Sequence, residues 1–206
     1  RGRNNLIVVK KGTGPRIVVV GAHHDKVSEG AGTIDNWTGS TMVTNLYQAM
    51  NGIDTETTYI FVAFAREEEG LIGSEEFLNS LPASGRGRID SMINLDTLAV
   101  DGTFSWRNNS TASLLALVKQ VAAQEGRGLV ETDLHGGDAD SSTFRRAGIA
   151  AMTLFGASDA VIWDIIHSAR DTMAAFSLPH YRNAFLLTLA LLKKLDQNPV
   201  KKASVI

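Results

Sequence analysis

The sequence predicts an α/β domain in which helices pack on a parallel or mixed β-sheet. Two observations support this fold class. Short runs rich in β-branched and aromatic residues alternate with longer segments of helical periodicity. Most of the polar motifs that contain His, Asp or Glu directly follow an apolar run, as expected where parallel strands end at one edge of a sheet. With 206 residues, the chain is long enough for one domain with a substantial core.

The first half of the chain contains three predicted strands and two predicted helices. The β-branched runs Leu6–Lys10 and Arg16–Ala22 are joined by the turn-rich segment Lys-Gly-Thr-Gly-Pro, and therefore predict a hairpin that leads into a central strand. A loop of Gly, Ser and Asp follows, and then a helix over Thr38–Met50. The apolar run Thr57–Ala65 predicts another strand, and Gly70–Leu81 predicts the second helix.

The second half continues the alternation of strands and helices. Arg88–Leu95 predicts a strand, and Phe104–Trp106 predicts a short strand at the edge of the sheet. Thr111–Glu125 is strongly periodic, with its Leu and Val residues on one face, and predicts a helix. The remaining predicted elements are strands at Leu129–Thr132 and Ile149–Phe155 and helices at Ser141–Ala147 and Pro179–Leu195.

Composition excludes several classes of partner and site. Hydrophobic residues make up 44% and charged residues 20% of the chain, as in an ordinary soluble domain. A net charge of −2 gives no reason to expect nucleic acid or an anionic membrane surface as a partner. No apolar run reaches the length of a membrane span. The absence of Cys excludes disulfides and thiolate metal sites.

Five short polar stretches contain the residues that we predict to bind metal. Because parallel strands bring their carboxyl ends to one edge of a sheet, we expect these stretches to converge there. Two imidazoles and three carboxylates match the donors that zinc prefers, and together they would hold two divalent ions. The candidate donors are His23, Asp35, one glutamate of the Glu67–Glu69 run, Asp96 and His167.

Each donor also has a structural interpretation. In an extended segment, residues two apart share a face, so Asp25 is expected to accept a hydrogen bond from the outer ring nitrogen of His23. Taken alone, Asp35 fits a helix N-cap better than a ligand, although its two oxygens would allow it to bridge two ions. A solvated His23 at a strand end and a structural His167 are the alternatives for the imidazoles.

Three consecutive glutamates follow the strand Thr57–Ala65. Acidic residues are favoured at helix N-termini by the helix dipole, and we assign Glu69 to that role. Adjacent carboxylates also suit two complementary roles, in which one binds metal and its neighbour takes a proton from bound water.

Several motifs together resemble the di-zinc aminopeptidases of metallopeptidase family twenty-eight. They are GAHHDKV, GTIDN, REEEGLIGS, NLD, GDADSSTF and IIHSARDT. The resemblance extends from about Asn5 to the final helix. It implies a three-layer α/β/α sandwich of the zinc-exopeptidase type with a mostly parallel sheet, and a single catalytic domain over residues 1–206. Since the chain begins at Arg1 without Met and enters a strand almost at once, we expect residues upstream of it, and the family favours a secreted or periplasmic location.

The resemblance also implies how the donors divide between two zinc ions. His23 and Asp96 would bind one ion. Glu68 and His167 would bind the other, and Asp35 would bridge both. Each ion would then have three protein ligands and an open position, as a catalytic zinc requires.

Further roles follow from the same resemblance. Glu67 would be the general base, Asp25 would orient the ligands, and Asp140 would lie beside the site in a supporting role. The peptide bond Asp35–Asn36 would be cis.

Three positions differ from the common pattern of the family. Ile166 stands where many members have a Tyr that stabilises the oxyanion. Ser141 replaces a His, and Arg66 replaces a small residue. The oxyanion-stabilising group and the preferred substrate side chain therefore have no assignment from sequence, although Trp37, Trp106, Arg107 and Trp163 are candidates to line the pocket.

The predicted function is a zinc aminopeptidase that acts on peptides with a free N-terminus, without a nucleic-acid partner and with an unassigned oligomeric state. One alternative is a glutaminyl-cyclase-type acyltransferase, for which one zinc on Asp35, Glu68 and His167 would suffice. A non-catalytic relative is the other alternative.

Overall fold

Seven β-strands form the centre of the computed structural model, which describes residues 4–198. In chain order they are β1 (Leu6–Lys10), β2 (Ile17–His23), β3 (Thr58–Phe64), β4 (Ile89–Leu95), β5 (Phe104–Trp106), β6 (Val130–Thr132) and β7 (Ala150–Phe155). They make one sheet in the order β1-β3-β2-β4-β7-β5-β6. The four central strands are parallel, whereas β1 and β5 run antiparallel to their neighbours β3 and β7. The predicted fold class, an α/β domain with a mixed and mostly parallel sheet, is confirmed.

Helices cover both faces of this sheet. They are α1 (Thr38–Asn51), α2 (Ile72–Ser80), α3 (Ala83–Arg86), α4 (Ala112–Gln124), α5 (Asp140–Arg146), α6 (Ile162–Ile165) and α7 (Leu178–Gln197). Val18 and Val20 of β2 belong to the core that contains α1, α4 and α7. Val19 packs with residues of α2 and α5 on the opposite face. The period of two along β2 therefore separates two hydrophobic layers, and the result is a three-layer sandwich.

Strand β2 lies in the middle of the sheet and is buried along its whole length. It pairs in parallel with β3 on one side and with β4 on the other. A side chain at Gly21 would place its Cβ 2.3 Å from the ring of Phe64. Glycine is therefore needed at this position, because the aromatic ring packs directly over the strand just before it reaches His23.

The predicted hairpin between the first two strands is wrong. β1 pairs with β3, with Leu6 opposite Ala63 and Lys10 opposite Tyr59, so β3 lies between β1 and β2. Most of β3 is buried, whereas the four aliphatic residues 6–9 are 44–64% exposed. The more buried strand β3 takes the inner position between β1 and β2. The turn-rich link between β1 and β2 does not make these two strands pair.

Phe104–Trp106 was predicted as an edge strand, and this is also wrong. β5 lies between β7 and β6, and all three of its residues are buried. Phe104 is opposite Phe155 in the register, and the two rings stack with centroids 5.4 Å apart. β6 forms the edge instead, with Val130 exposed. Three residues are too few for a periodic pattern to reveal this inner position.

The other predicted elements occur with their ends shifted by a few residues. Helix α2 begins at Ile72 because Leu71 adopts a left-handed backbone conformation with φ 61°. Glu69 therefore lies before the first turn of α2, and its predicted dipole role is wrong. It forms an ion pair with Arg66 instead, at 3.3 Å.

The ends of the predicted domain, residues 1–3 and 199–206, lie outside the described residues. No helix between residues 4 and 198 combines the length and apolar character needed to cross a bilayer.

Candidate metal centre

The carboxyl edge of the sheet collects the polar motifs. His23 is the last residue of β2, Glu67 and Glu68 follow β3, and Asp96 follows β4. Because these three strands are adjacent and parallel, their ends lie side by side. Asp35 reaches the same edge from the kinked turn that precedes α1, and His167 reaches it from the loop after α6.

The structure brings all five predicted donors together around Asp35. One oxygen of Asp35, Oδ1, lies 3.0 Å from Nε2 of His23, and this nitrogen lies 3.5 Å from Oδ1 of Asp96. The other oxygen, Oδ2, lies 3.2 Å from Nε2 of His167, which is 3.0 Å from Oε2 of Glu68. The donors therefore form two groups of three that share a single carboxylate.

The two groups are also close to each other. His23, Asp35 and Glu68 each offer a ligand atom within 4.8 Å of the others, although His23 and Glu68 belong to different groups. We divide the donors by the nitrogen-to-oxygen distances that are 3.5 Å or shorter, which place His23 with Asp96 and Glu68 with His167. Asp35 is within 3.2 Å of both imidazoles and belongs to both groups. A carboxylate with one oxygen in each group has the arrangement needed to bridge a metal pair.

The charges at this site fit bound cations. Burial opposes the charge of Asp35, but its hydrogen bonds with His167 and His23 outweigh burial and lower the pKa of the carboxyl. Burial also opposes protonation of His23, yet the surrounding carboxylates, chiefly Asp96, raise the pKa of its imidazole. One oxygen of Glu68, Oε1, is buried with no hydrogen-bond partner. A buried carboxylate oxygen without a partner is costly, and a metal ion would satisfy it.

Asp25 holds the backbone of the glutamate segment in place. Its carboxylate accepts hydrogen bonds from the backbone N–H of Glu67 at 3.1 Å and of Glu68 at 3.2 Å. The outer nitrogen of His23, Nδ1, lies 3.2 Å from the backbone carbonyl of Asp25 and 3.6 Å from its carboxylate. The backbone carbonyl of Asp25 thus lies nearer to this nitrogen than its carboxylate does, and the carboxylate faces His23 while it orients two amides of the segment after β3.

Glu67 points into the same cavity as the donors. Burial raises the pKa of its carboxyl to about 9, and the negative charges of Asp96, Asp140 and Glu68 add to this effect against the opposing charge of His23. Several carboxylates thus crowd one water-poor space, where cations would relieve their repulsion.

Asp140 is the first residue of α5 and is fully buried. Burial raises the pKa of its carboxyl to about 7, and neither of its oxygens has a hydrogen-bond partner. The nearby hydroxyl of Ser74 donates to the carbonyl of Leu71 and to the hydroxyl of Thr143 instead. Asp140 is therefore a buried carboxyl near the centre that is hydrogen-bonded to none of the five donors.

The turn that carries Asp35 has the expected cis peptide bond between Asp35 and Asn36. The side chain of Asn36 connects this turn to its surroundings. Its amide donates to the backbone carbonyl of Leu95 at 3.0 Å, and its Oδ1 accepts from the N–H of Gly39 at 2.9 Å. Asn36 therefore links the turn both to the end of β4, one residue before Asp96, and to the start of α1.

Asp171 was not predicted as a site residue, and it supports the same turn from the other side. It is 2% exposed, and its Oδ1 accepts from the backbone N–H of Ile34 at 2.6 Å. Its Oδ2 lies 3.4 Å from the backbone N–H of Asp35. Because Asp171 follows His167 by four residues, it ties the loop of one donor to the turn of another. Its place in the IIHSARDT motif was the available sequence signal.

Replacement of Asp171 by Asn is expected to weaken divalent-metal binding by about 10- to 100-fold. An amide retains only one acceptor oxygen for the two backbone N–H groups, so the turn that presents Asp35 loses part of its support. Competition with a chromophoric chelator measures the affinity. Asp164→Asn is the matched control, since Asp164 lies in the same part of the chain but is exposed and pairs with Arg170. Equal affinities for the two variants would contradict the role given to Asp171.

A cavity of about 380 Å³ opens over the donors. One wall is apolar and contains Trp106, Leu134, Phe155, Ile162, Trp163 and Ile166. Trp106 and Trp163 therefore line the cavity as anticipated, whereas Trp37 and Arg107 do not. Ile166 adds to the apolar wall and offers no hydrogen bond. The arrangement combines a cluster of metal-binding donors with a pocket for an uncharged group.

Comparison with known proteins places this chain among peptidases. A profile of peptidase family M28 matches residues 5–192. Leupeptin-inactivating enzyme 1 of Streptomyces exfoliatus is 32% identical over 164 residues, which cover 75% of this chain and 36% of that protein. Aminopeptidase YwaD of Bacillus subtilis is 31% identical over 157 residues, which cover 70% of this chain and 34% of that protein. The chain thus spans about a third of the length of these curated relatives.

Solved structures share the fold. The structure of BSAP, a zinc aminopeptidase from Bacillus subtilis, superposes with a TM-score of 0.83 at 24% sequence identity. The match covers 92% of this chain and 49% of that chain. At this identity, the likeness establishes that the two chains have the same architecture.

Proposed function

Because this chain belongs to peptidase family M28, we propose that it is a metal-dependent aminopeptidase that removes the N-terminal residue of peptides. The observation that supports this most directly is the pair of donor groups that share Asp35, beside the carboxylate of Glu67 in one cavity. The described residues would act as one catalytic domain, with peptides that have a free N-terminus as substrates.

The donor set suits two zinc ions. His23, Asp96 and Asp35 would hold one ion, and Glu68, His167 and Asp35 would hold the other. Imidazole and carboxylate ligands, three to each ion with Asp35 shared, match a catalytic zinc that keeps one open position. When bound, the ions supply Lewis acidity, which makes water a better nucleophile and polarises the scissile carbonyl.

Glu67 would act as the general base. It lines the same cavity as the donors but forms an ion pair with none of them. Cations held by the donors would offset the burial and repulsion that raise its pKa, and would leave a carboxylate that can accept a proton. It would take a proton from the attacking water and deliver it to the nitrogen of the leaving peptide. Asp25 would position both glutamates through the two backbone hydrogen bonds that it accepts.

The cavity walls suggest how the substrate would be oriented. The apolar wall suits an uncharged, hydrophobic N-terminal side chain, since burial of such a side chain contributes about 1.5–3 kcal/mol. The carboxylates that line the same cavity would receive the positively charged amino group of the substrate. The free N-terminus and the scissile bond would then both lie over the donors.

Removal of metal is expected to abolish turnover and to lower thermal stability. A ligand at 100 times its dissociation constant stabilises the folded state by about 2.7 kcal/mol, which corresponds to roughly 5–10 °C in Tm for a chain of this size. We expect a chelator to lower Tm by at least about 5 °C and to stop the hydrolysis of aminoacyl anilides. Added zinc should restore both quantities. Full activity after exhaustive chelation would contradict a metal mechanism.

The number of bound ions separates the proposed function from its alternatives. A zinc stoichiometry near two, measured after reconstitution and gel filtration, supports the aminopeptidase. A stoichiometry near one, together with pyroglutamate formation from peptides with N-terminal Gln, would favour the cyclase-type reaction. A metal-loaded protein that is inert toward both substrate classes would indicate a non-catalytic relative.

A further inference from the structure

One arginine lies in the same cavity as the metal-binding donors. Among the described residues that line this cavity, Arg146 is the only Lys or Arg. It is the last residue of α5, the helix that begins at the buried Asp140. A guanidinium in a cavity lined mainly by carboxylates, imidazoles and apolar groups suggests recognition of an anion.

A second cavity of about 600 Å³ adjoins the first. The two share Trp106, Leu134, Gly137, Asp138 and Arg146. The second cavity adds Arg145 and His135, together with the neutral hydrogen-bonding side chains of Asn108, Asn109 and Ser142. Arg146 therefore stands between the cavity over the donors and a polar cavity that contains a second arginine.

The carboxylates near Arg146 neutralise it only weakly. Its Nη1 lies 3.4 Å from Asp138 and its Nη2 lies 3.9 Å from Glu75, and all three side chains are about half exposed. Asp138 also accepts from the backbone N–H of Ala139 at 2.9 Å and from the hydroxyl of Ser142. Exposed ion pairs of this length contribute little stability, so a better-placed carboxylate could replace them.

Arg145 is still less neutralised. Its Nη1 donates to Oδ1 of Asn109 at 2.5 Å, and among residues 4–198 no carboxylate pairs with it at salt-bridge distance. Its side chain is exposed within the second cavity. Arg145 and Arg146 thus both contribute a guanidinium to the lining of the second cavity.

We propose that Arg146, assisted by Arg145, binds a carboxylate of the peptide substrate. The inference rests on the proposed aminopeptidase function and adds a preference for anionic substrates. Because one cavity contains both the donors and Arg146, a peptide held by its N-terminus at the donors reaches this arginine within a few residues. The carboxylate comes either from the C-terminus of a short peptide or from an acidic side chain, and the guanidinium would bind it through two parallel hydrogen bonds.

A purely structural role for the two arginines makes a different prediction. Basic residues are favoured in the last turn of a helix because they interact with its dipole. In that case, substitution of Arg146 would lower the stability of α5 without changing the relative affinity for charged and neutral peptides. A ratio of affinities therefore distinguishes recognition from stabilisation.

Matched peptide pairs measure this ratio. Leu-Gly-Gly and Leu-Gly-Gly-amide differ only in the C-terminal carboxylate, and Leu-Glu-amide and Leu-Gln-amide differ only in a side-chain carboxylate. For the zinc-loaded protein we expect KM to be about tenfold lower for the anionic member of at least one pair, as a charge-assisted hydrogen bond predicts. The pair that shows the difference identifies the source of the carboxylate.

Variants then assign the preference to Arg146. In Arg146→Gln the ratio of KM values is expected to fall to about one, and in Arg146→Lys about half of the logarithmic difference should remain, since charge is kept but the paired geometry is lost. Arg182→Gln is the control, because Arg182 is exposed on α7 and lines neither cavity. Circular dichroism and Tm verify that each variant is folded. Absence of any preference in the unmodified chain, or a preference that persists in Arg146→Gln, would overturn the proposal.

A binding measurement keeps this test separate from the proposed catalytic function. Trp106 and Trp163 line the cavity, so their fluorescence reports peptide binding without turnover. Titration of zinc-loaded Glu67→Gln and of the double variant Glu67→Gln/Arg146→Gln with Leu-Gly-Gly, Leu-Glu-amide and their neutral partners gives the four dissociation constants for each protein. If the chain hydrolyses no peptide but still binds an anionic member about tenfold more tightly through Arg146, the catalytic proposal fails and the carboxylate proposal stands. Equal dissociation constants for the anionic and neutral peptide of both pairs would refute the carboxylate proposal.

Discussion

Replacement of Glu67 by Gln is expected to reduce kcat by about 10²–10⁴-fold while the metal content stays unchanged. The amide has nearly the same shape as the carboxylate but cannot accept the proton of the attacking water. Glu67 contributes no atom to either donor group, so its loss should leave metal binding intact. Steady-state kinetics on an aminoacyl anilide and elemental analysis of the same sample provide the two measurements.

Glu69→Gln is the control for this variant. Glu69 is two residues away, about half exposed, and forms an ion pair with Arg66 at the surface. Its substitution should change kcat by less than about twofold, because exposed ion pairs of this kind are worth at most about 1 kcal/mol and this one does not face the cavity. Near-normal kcat in Glu67→Gln would refute the assignment of the general base, and loss of metal would show that Glu67 is a ligand instead.

Replacement of Asp35 by Asn is expected to have the larger structural effect, because both donor groups lose a shared ligand. Bound zinc should fall from two ions to one or fewer, since an amide presents only one oxygen that can bind a cation. Metal ions contribute several kcal/mol of transition-state stabilisation. With about 1.4 kcal/mol for each factor of ten, activity should fall by at least about 10³-fold.

The matched control for this variant is Asp54→Asn. Asp54 is exposed and precedes the amino end of β3, whereas Asp35 lies at the carboxyl edge of the sheet. Its substitution should leave both the stoichiometry and kcat unchanged. Retention of two tightly bound ions in Asp35→Asn would mean that the two groups are independent, and that the carboxylate does not bridge them.

A general property of parallel sheets explains why the sequence predicted that His23, a glutamate after β3 and Asp96 would lie together, whereas Asp35 and His167 were assigned from the resemblance to a known family. Strands β2, β3 and β4 are continuous apolar runs, and their ends are marked by His23, by the glutamates and by Asp96. Parallel neighbours deliver these ends to one edge whatever the order of the strands. For this reason, an incorrect hairpin between β1 and β2 did not affect the predicted site.

Supporting contacts between distant segments were harder to predict. Asp171 supports the turn of Asp35 from a distance of 136 residues in the chain, through backbone hydrogen bonds that no local pattern encodes. The carboxylate of Asp25 accepts from two amides of the segment after β3, although its spacing in the sequence pointed to His23. Such contacts depend on how strands and loops are placed in space, which periodicity does not report.

Local residue chemistry by itself determined the kind of protein. The apolar runs specified an α/β domain, and the imidazoles and carboxylates at their ends specified a centre for divalent metal. Only the tertiary structure decided that β3 separates β1 from β2, that Asp35 directs one oxygen to each donor group, and that Arg146 shares the cavity. The physical reason is that burial and side-chain chemistry are properties of short segments, whereas pairing order, shared ligands and cavity walls arise from contacts between segments far apart in the chain.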